Sequence, residues 1–199
     1  MAATASPYGL RAVNHLGGTP YAGSTRMYPI ASGTATNIYY GDVVNVLASG
    51  FLTQNVTTGA VAAPFVVGTV GVFVGCTFTD PNSGNVVFRQ NWPTGTVAAD
   101  ALAYVVDDPA AIFQVQANGT VAQAGLGSNC FLVVQATGTG NLSSGNSTTA
   151  AVAATVQTAA AFKIVGFVDS PTSTVGDAFT DLLVKFNPAA HAYTNGLGI

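Results

Sequence analysis

Charge is what this chain lacks most. Only 7% of its 199 residues are charged, where an ordinary soluble domain carries about 25%. Glutamate is absent. The eight acids are all aspartates, at positions 42, 80, 100, 107, 108, 169, 177 and 181, against five Lys and Arg, for a formal net charge of −3. Five dispersed cations (Arg11, Arg26, Arg89, Lys163, Lys185) do not neutralise a run of phosphates, so nucleic acid is not an expected partner. A coiled coil or helical bundle is excluded for a related reason: such folds draw on Glu, Lys, Leu and Arg, and this chain draws on Gly, Thr, Val, Ala and Asn.

Cysteine and histidine are equally scarce, with two of each. Cys76 and Cys130 lie inside apolar runs (GVFVGCTF and NCFLVV), which suits buried, reduced thiols acting as small hydrophobes better than a disulfide. The first ten residues carry no Lys or Arg and no apolar stretch of signal-peptide length, so export is not expected. The sequons at Asn55, Asn118, Asn141 and Asn146 then read as turn chemistry. No charge occurs from Val43 through Thr79, yet Pro64, Gly68, Gly71 and Gly75 interrupt the apolar run. Val and Phe favour strands there, so no membrane span is expected.

Catalysis needs convergent titratable groups, and the sequence offers few. His15 and His191 sit near opposite ends of the chain, and no nucleophile-elbow pattern accompanies the many serines. Two histidines and two cysteines at 15, 76, 130 and 191 lack the paired spacings of zinc sites. Asp107 and Asp108, just before Pro109, read as a turn rather than as a carboxylate pair, because neighbours on a strand face opposite ways. Asp177 and Asp181 have no evident partner. GTGNLSSG lacks the Lys-Ser/Thr ending of a phosphate loop. No catalytic residue, metal or cofactor is therefore assigned.

What is present is a series of short Val/Ile/Phe/Tyr-rich runs between Gly, Pro, Asn and Asp clusters, the pattern of an all-β sandwich or barrel. Expected strands are Met27 to Ile30, Asn37 to Tyr40, Val43 to Leu47, Phe65 to Val67, Val70 to Phe78, Val86 to Arg89, Ala101 to Val106, Ile112 to Gln116, Phe131 to Gln135, Phe162 to Val168 and Asp181 to Phe186. DPNSGN at Asp80 to Asn85 suits a tight antiparallel reversal, and Asn118-Gly119 suits a hairpin turn. Residues 1–25, with Pro7, Pro20 and repeated glycines, read as an extended N-terminal arm. Residues 26–199 then form a single β-sandwich or barrel-like domain, a jelly roll among the options, with a flexible Gly/Ser/Thr loop near 136–149. The run AAVAATVQTAAA after it reads as a strand or an extended crossing. Trp92, the only tryptophan, suits core packing and an interface anchor equally.

The chain as a whole resembles a family of tailed-bacteriophage structural proteins encoded with the major capsid protein and regarded as capsid decoration, or cement, proteins. The matching stretches are SPYGLRAVNHLGG, PIASGTATNIYYGDVV, VGVFVGCTFTD, NWPTGT, AYVVDDPAAIFQVQANGTVAQAGLGSN and IVGFVDSPTSTVGDAFTDLLVKFNP, in this order from near residue 6 to near residue 188. The segment from Ala136 to Ala161 matches least well. The resemblance implies a non-enzymatic virion protein, made in the host bacterial cytoplasm and bound to the outer capsid surface, where it braces neighbouring subunits of the major capsid protein. Tyr8, Leu10, Arg11, Tyr21, Arg26 and Tyr28 are the expected capsid-contact residues. Symmetric closure suggests a homotrimer at capsid threefold positions, with a dimer as the alternative. A receptor- or glycan-binding module of a fibre or tail is the competing function, with Trp92 and the tyrosines as its exposed sugar platform.

Overall fold

A computed structural model describes residues 4–60, 62–133, 140–153 and 159–198. Eleven strands carry the fold: β1 (Arg11–His15), β2 (Arg26–Pro29), β3 (Val43–Val46), β4 (Leu52–Gln54), β5 (Thr69–Thr79), β6 (Val86–Arg89), β7 (Leu102–Val106), β8 (Ala111–Gln116), β9 (Asn129–Cys130), β10 (Phe162–Phe167) and β11 (Asp181–Phe186). They form two antiparallel sheets, one ordered β1-β8-β11-β10-β9 and the other β2-β7-β5-β3-β4, with β6 added to β5. The all-β expectation holds, and the arrangement is a β-sandwich.

The second sheet is packed on both faces. Towards the first sheet, Val43, Val72 and Val106 join Leu10, Phe113, Val115, Phe162, Leu182, Val184 and Phe186 in one core. On its far face Phe73, Cys76, Phe78, Ala103 and Val105 pack under Ile30, Ile38, Trp92 and Ala98. Ile38 and Trp92 exchange backbone hydrogen bonds of 3.0 and 2.8 Å, so two connecting segments form the cover of that second core. The expected strands Asn37 to Tyr40 and Phe65 to Val67 are not ladder strands. The first contributes isolated bridges at Ile38 and Tyr40, and Phe65 packs against the first core.

β5 spans eleven residues and must serve both cores. It does so through two bulges, where the register slips opposite β3 around Val70 and Gly71 and opposite β7 around Val74 and Gly75. A bulge adds one residue and resets which face each side chain meets. Gly71 (φ +155°) and Gly75 (φ +144°) sit at these points, and a Cβ on Gly71 would lie 2.1 Å from the Val106 carbonyl oxygen. Glycine is required there by both torsion and space.

Four expectations need correction. Arg11–His15, placed in a projecting arm, are instead the edge strand β1 paired with β8, and Leu10 is fully buried. A short R-A-V-N-H run between Gly and Pro clusters carries no strand signal of its own; β8's open edge and a core site for Leu10 supply it. Asn118-Gly119 is no hairpin turn. β8 pairs with the distant β1 and β11, Gly119 is not left-handed, and Ala117 bridges Ala151 instead. Of the expected loop near 136–149, residues 136–139 lie outside the described residues, but its later part is tied down: the Tyr40 N–H donates to the Gly145 carbonyl, the Ser147 N–H donates to the Tyr40 carbonyl, and Ser147 and Thr149 are buried. The ladder strand here is β9, Asn129–Cys130, and not Phe131 to Gln135; residues 134–135 of that expected strand and residues 154–158 of the alanine run lie outside the described residues.

Candidate docking surfaces

The turn between β7 and β8 crosses from one sheet to the other, and its two aspartates order the neighbouring edge strands. Asp107 accepts hydrogen bonds from the Tyr28 hydroxyl (2.9 Å) and from Arg26 Nε (2.9 Å). Arg26 also lies 5.1 Å from the Tyr193 ring centroid, and the Tyr28 and Tyr193 hydroxyls share a short hydrogen bond. Burial is the largest cause holding the Tyr28 phenol well above its ordinary titration range. Asp108 caps its own turn through the Ala110 N–H (2.7 Å) and meets His15 Nε2 at 3.2 Å. Both acids therefore act as turn and anchor groups.

The six expected contact residues divide by position. Arg11 stands 4.5 Å over the Tyr8 ring, and the Tyr8 hydroxyl donates to Asp181 (3.0 Å). Burial, with Asp181 next, raises the Tyr8 phenol far above its usual range. Tyr21 lies beside His15, at 5.8 Å between ring centroids, and its hydroxyl donates to the Ser24 carbonyl. Arg26 and Tyr28 belong to the Asp107 cluster. Leu10 is 0% exposed, which removes it from any surface; its side chain fills the core where an apolar residue is worth most. Tyr28 is buried as well, with its hydroxyl bonded to Asp107 and Tyr193.

Trp92 is also fully buried and packs edge-on against Phe78 at 5.2 Å. The tryptophan of an expected sugar platform is thus a core residue. Cys76 and Cys130 are free thiols, one in each core, and burial pushes each up to about 12. The His15 ring lies between Asp108 and the Thr19 hydroxyl, which is 3.5 Å from Nδ1. That contact is at the upper limit of hydrogen-bond length and sits on an exposed turn. No group of three metal-ligating side chains converges among the described residues, and no helix there is long and apolar enough to cross a membrane.

Sequence reasoning passed over the surface beside β6. This strand pairs with β5 along Cys76 to Thr79, beyond the end of β3, so the second sheet continues past its neighbour. The register puts Val87 with Phe78, on the face packed against the second core. Val86 and Phe88 stand on the opposite face, 64% and 75% exposed. Beside them opens a cleft of about 710 Å³ lined by Arg11, Tyr40, Phe88, Arg89, Tyr104 and Asn146, among others. V-V-F-R reads as a strand in the sequence, but nothing in four residues tells a covered face from an open one. No protein-family model, curated protein or solved structure matches this chain.

Proposed function

We propose that the chain is a virion structural protein: a capsid decoration, or cement, protein that binds the outer surface of a tailed-bacteriophage head and braces neighbouring major capsid subunits. The observation that carries this reading is the open overhang of β6, where Val86 and Phe88 stand exposed on a nearly uncharged molecule. A large apolar side chain in such a place suits burial against another protein. The ordered resemblance across most of the chain supports the same reading. Low charge weakens the repulsion that keeps proteins apart, which favours a life in an assembly. Repetition of modest contacts over a shell turns weak sites into a clamp. The proposed form is a homotrimer seated at capsid threefold positions, made in the host cytoplasm and resident on the outer capsid.

The test is a cryo-electron microscopy map of empty heads lacking this protein, before and after incubation with it. The expected result is new density for a β-sandwich on the outer shell at symmetry-related sites. A shell that stays bare, with the protein found on the tail or fibres of native virions, overturns the reading.

A further inference from the structure

We propose that β6 is a self-association edge, on which the β6 of a second copy of this chain adds antiparallel about a twofold axis through Val87. Among the described border strands of the two sheets, β6 is the one left open and undefended. β1 carries a bulge between Ala12 and Asn14, β2 holds Arg26 and Pro29, β9 is two residues long, and Leu52 of β4 is bridged by Ile30. Charges, prolines, bulges and short runs of this kind keep sheet edges from pairing with other chains. The run Val86, Val87, Phe88 has none of them, and β6 pairs only with β5 among the described residues. The hairpin shows which backbone groups are free. The Asp80 N–H donates to the Asn85 carbonyl (2.9 Å), and alternation along an antiparallel ladder makes Val87 with Phe78 the next hydrogen-bonded pair. The N–H and C=O groups of Val86 and Phe88 therefore point away from β5, toward the open edge.

Register is what makes the occupant a second copy. With Val87 opposite its own counterpart, Val86 of each copy stands opposite Phe88 of the other. Both residues present outward N–H and C=O groups, so each pair exchanges both backbone bonds. Both side chains also lie on the open face, 64% and 75% exposed, and meet as aromatic with β-branched cross-strand pairs. An axis on Val86 would set Phe88 against Gly84, and an axis on Phe88 would set Val86 against Gln90, so Val87 is the centre that matches apolar with apolar. The other face of β6 is complementary in charge. Arg89 comes opposite Asn85 of the second copy, one strand from its Asp80, and neither Arg89 nor Asp80 forms a salt bridge within the single chain among the described residues. Two strand spacings, about 10 Å between Cα atoms, lie within reach of an arginine and an aspartate side chain. One strand against one strand falls below the size of a standard interface, so the pair is weak in solution and gains strength when many copies are held side by side.

The contact deepens the decoration reading, which needs another protein over Val86 and Phe88, by naming that protein; on a shell it links threefold-seated trimers through twofold seams. The two are tested apart. Sedimentation equilibrium and amide hydrogen exchange by NMR are measured on the full chain from about 5 μM to about 500 μM, a range over which mass action populates a weak dimer. The expected result is a reversible dimer in which the Val86 and Phe88 amides gain protection with concentration, while those of Val87 and Arg89, already bonded to β5, do not change. Phe88→Lys, and Val86→Lys as a second variant, should weaken it at least tenfold with circular dichroism unchanged. A chain that stays monomeric throughout overturns the proposal, and so does an oligomer that survives both variants or leaves the Val86 and Phe88 amides unprotected. Head binding provides the separate arm. If heads are decorated by a chain that stays monomeric in solution and keeps its affinity in both variants, the β6 contact fails and decoration stands; if the dimer forms and heads stay bare, decoration fails and the contact stands.

Discussion

Two buried residues show how much the fold spends on position. Asp42 is 0% exposed; it accepts the Tyr39 N–H (2.9 Å) and the Gln54 amide (2.7 Å) and is hydrogen-bonded by Ser147, yet burial outweighs these bonds and raises its carboxyl from 3.8 to about 6. Raised folded pKa means that the folded state holds the proton more tightly than the unfolded one. The charge penalty is therefore absent below pH ~4, grows through pH 6 and reaches about 3 kcal/mol at pH 7. Buried His191 works in the opposite sense: burial lowers its pKa, so its contribution is present above pH ~6.5 and is lost on acidification. The wild-type profile mixes the two, and a difference experiment separates them. The stability of Asp42→Asn minus that of wild type should rise by about 2 kcal/mol between pH 4 and pH 7, read from urea unfolding; a difference flat across that range refutes the assignment. At Gly71 the constraint is backbone. Gly71→Ala forces a side chain into φ +155° and against the Val106 carbonyl, and should cost about 2–4 kcal/mol. An unchanged urea midpoint would mean that the β5 bulge relaxes freely.

At the scale of the element, β1 is where sequence and structure part. β1 holds the β8 edge by pairs such as Arg11 with Gln114 and Ala12 with Phe113, and Leu10 enters the first core just before it. Leu10→Ala should therefore cost about 2–5 kcal/mol, measured by thermal and urea unfolding, whereas a free arm would show no change. Deleting residues 1–25 should then unfold the domain rather than release a binding arm, so binding roles there are better probed at exposed Arg11. The strands that were legible share one property: apolar runs bounded by explicit turns, as in β5, the Asp80–Asn85 reversal and β6. In that reversal Asp80 accepts the Asn82 N–H at 2.9 Å, an aspartate turn written in the residues themselves. The same is true of Asn141, which accepts Ser143 and Ser144 N–H groups, and of Asn55, which accepts that of Thr57. β1 and β4 were not legible, because five and three residues without an apolar run become strands only when a partner edge is already in place. Partners for β8 come from residues 11–15 and 181–186, and local composition holds no record of pairing at that distance. For the candidate site, residue types suggested anchors near Tyr8, Arg11 and Arg26. Burial then separated Leu10 and Tyr28 from them and exposed Phe88 as a surface residue.

Across the whole molecule, the second sheet is the shared wall of two cores, and this predicts how the protein unfolds. Phe113 belongs to the first core and packs edge-on against Phe186 at 5.8 Å; Trp92 belongs to the second, on the far side of the sheet. If the wall couples them, damage to one core is felt in the other. Phe113→Ala, a loss of about 3–5 kcal/mol, should lower the urea midpoint seen by Trp92 fluorescence and that seen by far-ultraviolet circular dichroism by the same amount, in one transition. Independent cores would leave the Trp92 midpoint in place and split the transition. The two thiols give a second view of the same coupling, since Cys76 lies in the second core and Cys130 in the first, both buried. Labelling of native protein with a thiol reagent requires opening of the structure around each. In Phe113→Ala the two should become reactive at similarly increased rates, because the bulged strand β5 cannot release Val72 from the first core without shifting Phe73 in the second. Acceleration at Cys130 alone would mean that the sheet divides the molecule instead of joining it.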